Sequence, residues 1–204
     1  ITVGVDPRDM QPFTNAKDVI AHELAHRIVH HMVKQPLSMS ATSADVAIHE
    51  TLADTFASLV DDKDWIIGDK LSEPIRVMND PGQLGHPGHV EDLARVMAPD
   101  SPFMHPVGKS ARTGKTVLAP DWHAVAGIPN RAASIIGDAL GREKLGKIYF
   151  QAVREHLQPG KQLQGLAAAV LLSAQDLYGA ESREFKTTAD AWAAVGVLDQ
   201  SRAA

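Results

Sequence analysis

His22-Glu23-Leu24-Ala25-His26 constrains this chain more than any other stretch. Side chains four residues apart lie on one face of a helix. A helix through this segment therefore turns the imidazoles of His22 and His26 toward a single point. Glu23 sits beside them, placed to reach a metal-bound water rather than the metal. The segment must be helical for these groups to converge, and the convergence needs a third partner from elsewhere.

Composition narrows the field. The chain has 204 residues, enough for one domain with a proper core. Its hydrophobic fraction of 44% and charged fraction of 22% are ordinary for a globular protein. A net charge of −5 without a Lys/Arg run argues against nucleic acid as a partner. The longest apolar stretch, near Leu163–Ala174, is too short and too interrupted to span a bilayer. No cysteine is present, which removes disulfides, thiolate metal ligands and a cysteine nucleophile. The chain opens on Ile1 with no signal peptide, so any targeting segment is expected to lie outside it.

Along the chain, Ile1–Val5 reads as a short β segment. Thr14 or Asn15 is the expected cap of the motif helix, with Asp18 in its first turn and its end before Pro36. Ser43 is the expected cap of a second helix from Ala44 to about Val60. From Asp61 to Pro120, Gly, Pro and Asp are frequent, and the segment reads as long ordered loops with one short helix near Val90–Met97. Helices are expected again over Asn130–Leu140, Arg142–His156, Leu163–Tyr178 and Glu184–Val195. The fold class is mainly α, with three parts: an active-site strand and helices over 1–60, a loop-rich segment over 61–129, and a helical bundle over 130–204.

The His-Glu-x-x-His pattern is that of zinc metallopeptidases. A zinc that does chemistry takes three protein ligands and keeps a fourth position open. The second helix offers Glu50 and Asp54, one turn apart on a common face. Glu50 is the natural third ligand. Asp54 would accept the free ring N–H of a ligating histidine. Taken without the histidine motif, the two acids would read as a solvated pair.

At this point the chain resembles the thermolysin-like family of gluzincin zinc endopeptidases. Asp18–His26 is similar to the family's active-site helix, and Glu50-Thr51-Leu52-Ala53-Asp54 to its third-ligand helix. Arg76–Pro81 resembles the segment with a substrate-binding arginine. His123, Gly127 and Asn130-Arg131-Ala132-Ala133 resemble the segment with the catalytic histidine. Leu145–Tyr149, Asp176–Gly179 and Ala193–Val197 follow in the family's order.

The resemblance implies a zincin-like helical lobe and a secreted bacterial endopeptidase acting on peptides or proteins. In it Zn2+ is held by His22, His26 and Glu50, Glu23 is the general base, and His123 stabilises the oxyanion. Arg76 would hold a substrate carbonyl, and Phe13, Val19 and Ile75 would wall a pocket for an apolar residue after the cut. It also implies Ca2+ near Asp18, Asp61, Asp64 and Asp69; a solvated acidic surface is an equal reading of those four. His30 and His49 are expected to point away from the metal, and Gly85-His86-Pro87-Gly88-His89 is not expected to form a second metal site.

Four departures from the family pattern stand out. The connection between His26 and Glu50 is longer. Leu37 lies near the place of an oxyanion-assisting tyrosine. Leu118 stands where an aspartate orients the family's catalytic histidine, with Asp121 a nearby substitute. Most of the family's N-terminal β-rich lobe is absent, so peptide binding is expected to need that lobe, a propeptide or another polypeptide. Two other functions fit the same residues: a non-catalytic binding domain on a zincin scaffold, and a metallohydrolase of cell-wall peptides.

Overall fold

A computed structural model of the chain describes residues 4, 5, 10 and 12–199. The expected strand over Ile1–Val5 falls largely outside the described residues; Val5 itself bridges Pro12. A 3-10 turn, Phe13–Asn15, leads into α1 (Lys17–Met32). The residue that caps α1 is Ala16, with no side-chain cap. Thr14 and Asn15 lie inside the preceding turn, so the cap expected of them is not made. The second helix, α2 (Asp45–Val60), does receive help from Ser43, whose Oγ accepts the Asp45 N–H at 3.2 Å.

α2 is the axis of the molecule. Its residues 45–55 are all buried, polar ones included. It packs against α1 on one side and, on the other, against α4 (Trp122–Val125), α5 (Gly127–Leu140), α6 (Arg142–Gln151) and α7 (Gln162–Tyr178). A helix apolar all round belongs in a core, and here Thr51, Asp54 and Thr55 interrupt the apolar residues. α1 is amphipathic: Asp18, His22, Ala25 and Val29 face inward at helical spacing. The core around α2 includes Ile48, Leu52, Ile136, Leu145, Tyr149, Leu166 and Trp192, each without solvent exposure. The last helix, α8 (Arg183–Ala194), closes the bundle against α5 and α7. The final turn of the expected Arg142–His156 helix is wound as a π-helix over Ala152–His156. Among the described residues no helix is long and apolar enough to cross a membrane.

The 61–120 segment holds two small antiparallel sheets as well as loops. The first pairs β1 (Ile66–Ile67) with β2 (Arg76–Val77). A short helix, α3 (Leu93–Val96), then precedes a hairpin of β3 (Met104–Lys109) and β4 (Thr116–Pro120). Neither sheet follows from the sequence pattern. The strands of the first are two residues long, and Pro106 with a bulge between Pro106 and Gly108 breaks the alternation of β3.

α5 lies against the 61–66 connection through Trp65. The indole N–H donates to Asp138 Oδ1 at 2.7 Å, and the Arg142 guanidinium stacks 3.6 Å from the ring. That clamp leaves no space at Gly137, where an added Cβ would come within 2.4 Å of the ring. Replacing a helical glycine by alanine normally gains about 1 kcal/mol. Overpacking against a held ring costs ~1–3 kcal/mol. Gly137→Ala is therefore expected to lower the melting temperature, where propensity alone would raise it. A calorimetric scan of the two chains decides between them, and a rise would contradict the Trp65 packing.

Candidate metal centre

α1 and α2 run together so that three donors meet. His22 Nε2 lies 3.4 Å from Glu50 Oε2, and His26 Nε2 lies 3.4 Å from Glu50 Oε1. The rings of His22 and His26 stand edge to face, 4.4 Å apart. Among the described residues this is the one group of three His, Asp or Glu side chains whose donor atoms fall within 4.8 Å of one another. Tetrahedral zinc with bonds of about 2.0–2.1 Å sets its donor atoms ~3.3 Å apart. Each His–Glu separation, to a different carboxylate oxygen, is close to that edge, and two imidazoles with a carboxylate are a donor set zinc accepts.

Behind the donors lies Asp54, wholly buried. Its Oδ1 is 2.8 Å from His22 Nδ1, and its Oδ2 is 2.5 Å from Arg76 Nε. Neither contact is aligned as a hydrogen bond, so both act on Asp54 as charge contacts. Asn130 Nδ2, from α5, donates a directed hydrogen bond to Oδ2 at 2.7 Å. Burial alone would raise the Asp54 pKa, but the Arg76 charge, with the His22 contact, holds it well below the usual carboxylate range. Arg76 reaches from β2, and its Nη2 also lies 3.4 Å from Glu50 Oε2.

The histidines respond in opposite ways. Burial would push His22 down; the contact and charge of Asp54, with Glu50, override it and raise its pKa to about 9. His26 is pushed down to about 4 by burial and by the nearby His22. Burial also works against the charge of Glu50, yet His22 and Arg76 keep its pKa at about 2. In the metal-free chain at neutral pH, the donor set carries one removable proton, on His22.

His123 sits at the rim on α4, its Nε2 3.6 Å from Glu50 Oε1. Asp121 caps that single-turn helix by accepting the His123 N–H at 3.0 Å, and the same Oδ1 lies 3.1 Å from His123 Nδ1. The hydrogen bond to Asp121 raises the His123 pKa against the effect of burial. The neighbouring Leu118 is 40% exposed on the hairpin. Glu23 projects from α1 into a cleft of about 290 Å³, and no described residue pairs with its carboxylate. Phe13, Val19, Ile67, Ile75, Arg76 and His123 also line that cleft.

Other expected residues fall elsewhere. His49 stays outside the donor group, as expected, and lines a separate hollow with His30, its ring stacked on that of His26 at 4.5 Å and 3°. It is buried on α2, and reaches α1 because the two helices pack face to face. His89 caps the turn at Val90–Asp92 with its Nδ1, and His86 packs edge to face on Phe103. The four aspartates suggested for calcium are engaged separately. Asp18 accepts the Gly68 N–H, Asp64 that of Ile66, while Asp61 and Asp69 face Lys63 and Lys70. The sequence reasoning missed the contact of Asn130 with Asp54 and the place of Ile67 on the cleft. Asn130 could have been noticed as a polar position on the buried face of α5, and Ile67 carries no signal beyond being apolar.

Comparison with known proteins places the chain in a family. Residues 42–197 match the family described as thermolysin metallopeptidase, alpha-helical domain. A zinc metalloproteinase of Listeria monocytogenes is 28% identical over 201 residues, covering 94% of this chain and 35% of that protein. An extracellular elastase of Staphylococcus epidermidis is 26% identical over 198 residues, covering 94% and 34%. The chain thus spans about a third of the length of these relatives. The solved precursor of protealysin, a metalloproteinase from Serratia proteamaculans, superposes with a TM-score of 0.69 at 25% identity, over 92% of this chain and 59% of that one. With the match running over most of its length, this chain belongs to the thermolysin metallopeptidase family and carries its α-helical domain.

Proposed function

We propose that the chain carries the metal-dependent half of a secreted bacterial zinc endopeptidase. The observation that carries this reading is the meeting of His22, His26 and Glu50 donor atoms within 4.8 Å of one another, with Glu23, unpaired among the described residues, on the cleft beside them. The relatives named as a zinc metalloproteinase and an extracellular elastase support the metal and the location. The protealysin precursor supports a propeptide or N-terminal segment as a natural companion. Calcium has no comparable support, since the four aspartates do not converge as the zinc donors do.

His22, His26 and Glu50 would hold the zinc. When bound, it polarises the peptide carbonyl and lowers the pKa of water toward about 7. The charge of Asp54, 2.8 Å from Nδ1, favours the His22 tautomer with its proton there and the Nε2 lone pair for zinc, and Arg76 Nη2 lies 3.3 Å from that Nε2. Glu23 takes the proton of the attacking water and delivers it to the leaving amine, an exchange typically worth ~10²–10⁴-fold. His123, with Nδ1 engaged by Asp121, donates from Nε2–H to the oxygen that gains charge in the transition state. Arg76 faces Asp54 with Nε and faces Glu50 and the His22 ring with Nη2, so Nη1 is the group it would offer to a substrate carbonyl. Phe13, Val19, Ile67 and Ile75 suit an apolar side chain next to the cut.

Glu23→Gln is expected to lower cleavage of a quenched peptide by at least about 100-fold while keeping the metal. Unchanged cleavage would sink the mechanism, and stoichiometric zinc without any cleavage in the parent chain would favour the binding-scaffold reading. His123 must carry its proton to donate, and a raised pKa extends that form upward in pH. Asp121→Asn removes the cause, so the alkaline limb of the rate profile should move to lower pH; an unmoved limb would contradict this role for Asp121. Zinc uptake must displace the single His22 proton, since Glu50 is already ionised and His26 already neutral. Apparent zinc affinity should therefore rise about tenfold per pH unit on the acid side of about 9. Competition titrations at several pH values test this, and a flat response would mean His22 binds no proton there.

A further inference from the structure

The β3–β4 hairpin has no role in the chemistry above, yet it is fastened to it. Its base pairs Met104 with Pro120, and the Asp121 N–H donates to Phe103 O at 2.6 Å. His105 Nε2 approaches Asp121 Oδ2 at 4.0 Å. Asp121 is the residue that holds His123, so the hairpin springs from the rim of the cleft. Five paired positions at about 3.4 Å each carry it roughly 17 Å outward.

Its charge is one-sided. Between Met104 and Pro120 the chain has Lys109, Arg112 and Lys115 and no acid, in a protein of net charge −5. All three cations are exposed, and none forms an ion pair among the described residues. Val107 and Leu118 stand 39% and 40% exposed on the same strands. The outer edge of β3 is blunted by Pro106 and the bulge, whereas β4 reaches Pro120 without a break. Three unpaired cations beside a strand edge suit an extended anionic chain. They are too few for the counterion release that drives nucleic-acid binding, where a protein of net negative charge is also disfavoured.

We propose that the hairpin is an exosite for acidic segments of the peptide substrate, engaging residues several positions from the bond at the metal. This deepens the endopeptidase reading and rests on it for calling the bound peptide a substrate. The affinity gained is electrostatic, so it falls as salt shortens the screening length to about 8 Å.

The test reads binding without turnover. Full-length chain carrying Glu23→Gln is titrated into a fluorescent peptide with an Asp/Glu run beyond a Gly-Leu pair, and into its Asn/Gln counterpart. Fluorescence anisotropy at low salt should show the acidic peptide bound about tenfold tighter, a margin of the size three exposed ion pairs supply. Adding Lys109→Gln, Arg112→Gln and Lys115→Gln should erase the preference with the melting temperature kept. A preference that survives these changes, or is absent from the start, overturns the proposal. So does tighter binding of a single-stranded oligonucleotide of equal charge. A chain that binds the acidic peptide through the hairpin but cleaves nothing would defeat the endopeptidase reading and leave the exosite standing.

Discussion

A carboxylate with no solvent exposure is costly to keep ionised, by several kcal/mol per ion, unless its surroundings answer it. Asp54 is answered from three sides, by His22 on α1, Arg76 on β2 and Asn130 on α5, while it hangs from α2 itself. Those contacts tie together four elements far apart in sequence. Removing any partner leaves buried charge uncompensated, which makes the arrangement hard to deform. The metal donors inherit that rigidity, since His22 touches Asp54 directly and Glu50 lies one turn away on α2 with Arg76 against it. In this sense the site is a product of core packing. The histidines do not need to be steered by metal to find each other.

The same node separates the proton affinities of two histidines on one helix. His22 and His26 share a sequence motif and a face, yet one pKa is raised and the other lowered. The difference is the direct contact with Asp54, which His22 makes and His26 does not, together with the effect of the His22 charge on His26. A buried anion lies on one side of the donor set and the open cleft on the other. Glu23 and His123 both stand on the open side.

Much of this was legible in the chain. The i, i+4 spacing of His22 and His26 and of Glu50 and Asp54 dictates which side chains share a helical face, and packing α1 on α2 does the rest. Helix extents followed from apolar periodicity, missing the start of α1 because Ala16 carries no capping side chain. The hairpin was hidden because a proline and a bulge erase the alternation that marks a strand. Asn130 was hidden because its partner is 76 positions earlier. His49 was correctly kept out of the donor set, but its stacking on His26 was not legible, since a helix wheel does not show what the neighbouring helix brings to a residue. Asp121 contacts His123 through an Asx cap two residues before it, a local geometry that helix periodicity does not reveal.

Whether His22, His26 and Glu50 hold one zinc can be measured without any substrate. The purified chain, dialysed against metal-free buffer after zinc loading, is analysed for zinc content beside Glu50→Ala. One zinc per chain, with an absorption-edge spectrum of two imidazoles and oxygen, and its loss in Glu50→Ala, is the predicted result. A chain that retains no zinc, or one that holds it equally well without Glu50, would contradict the assignment of His22, His26 and Glu50 as a metal centre.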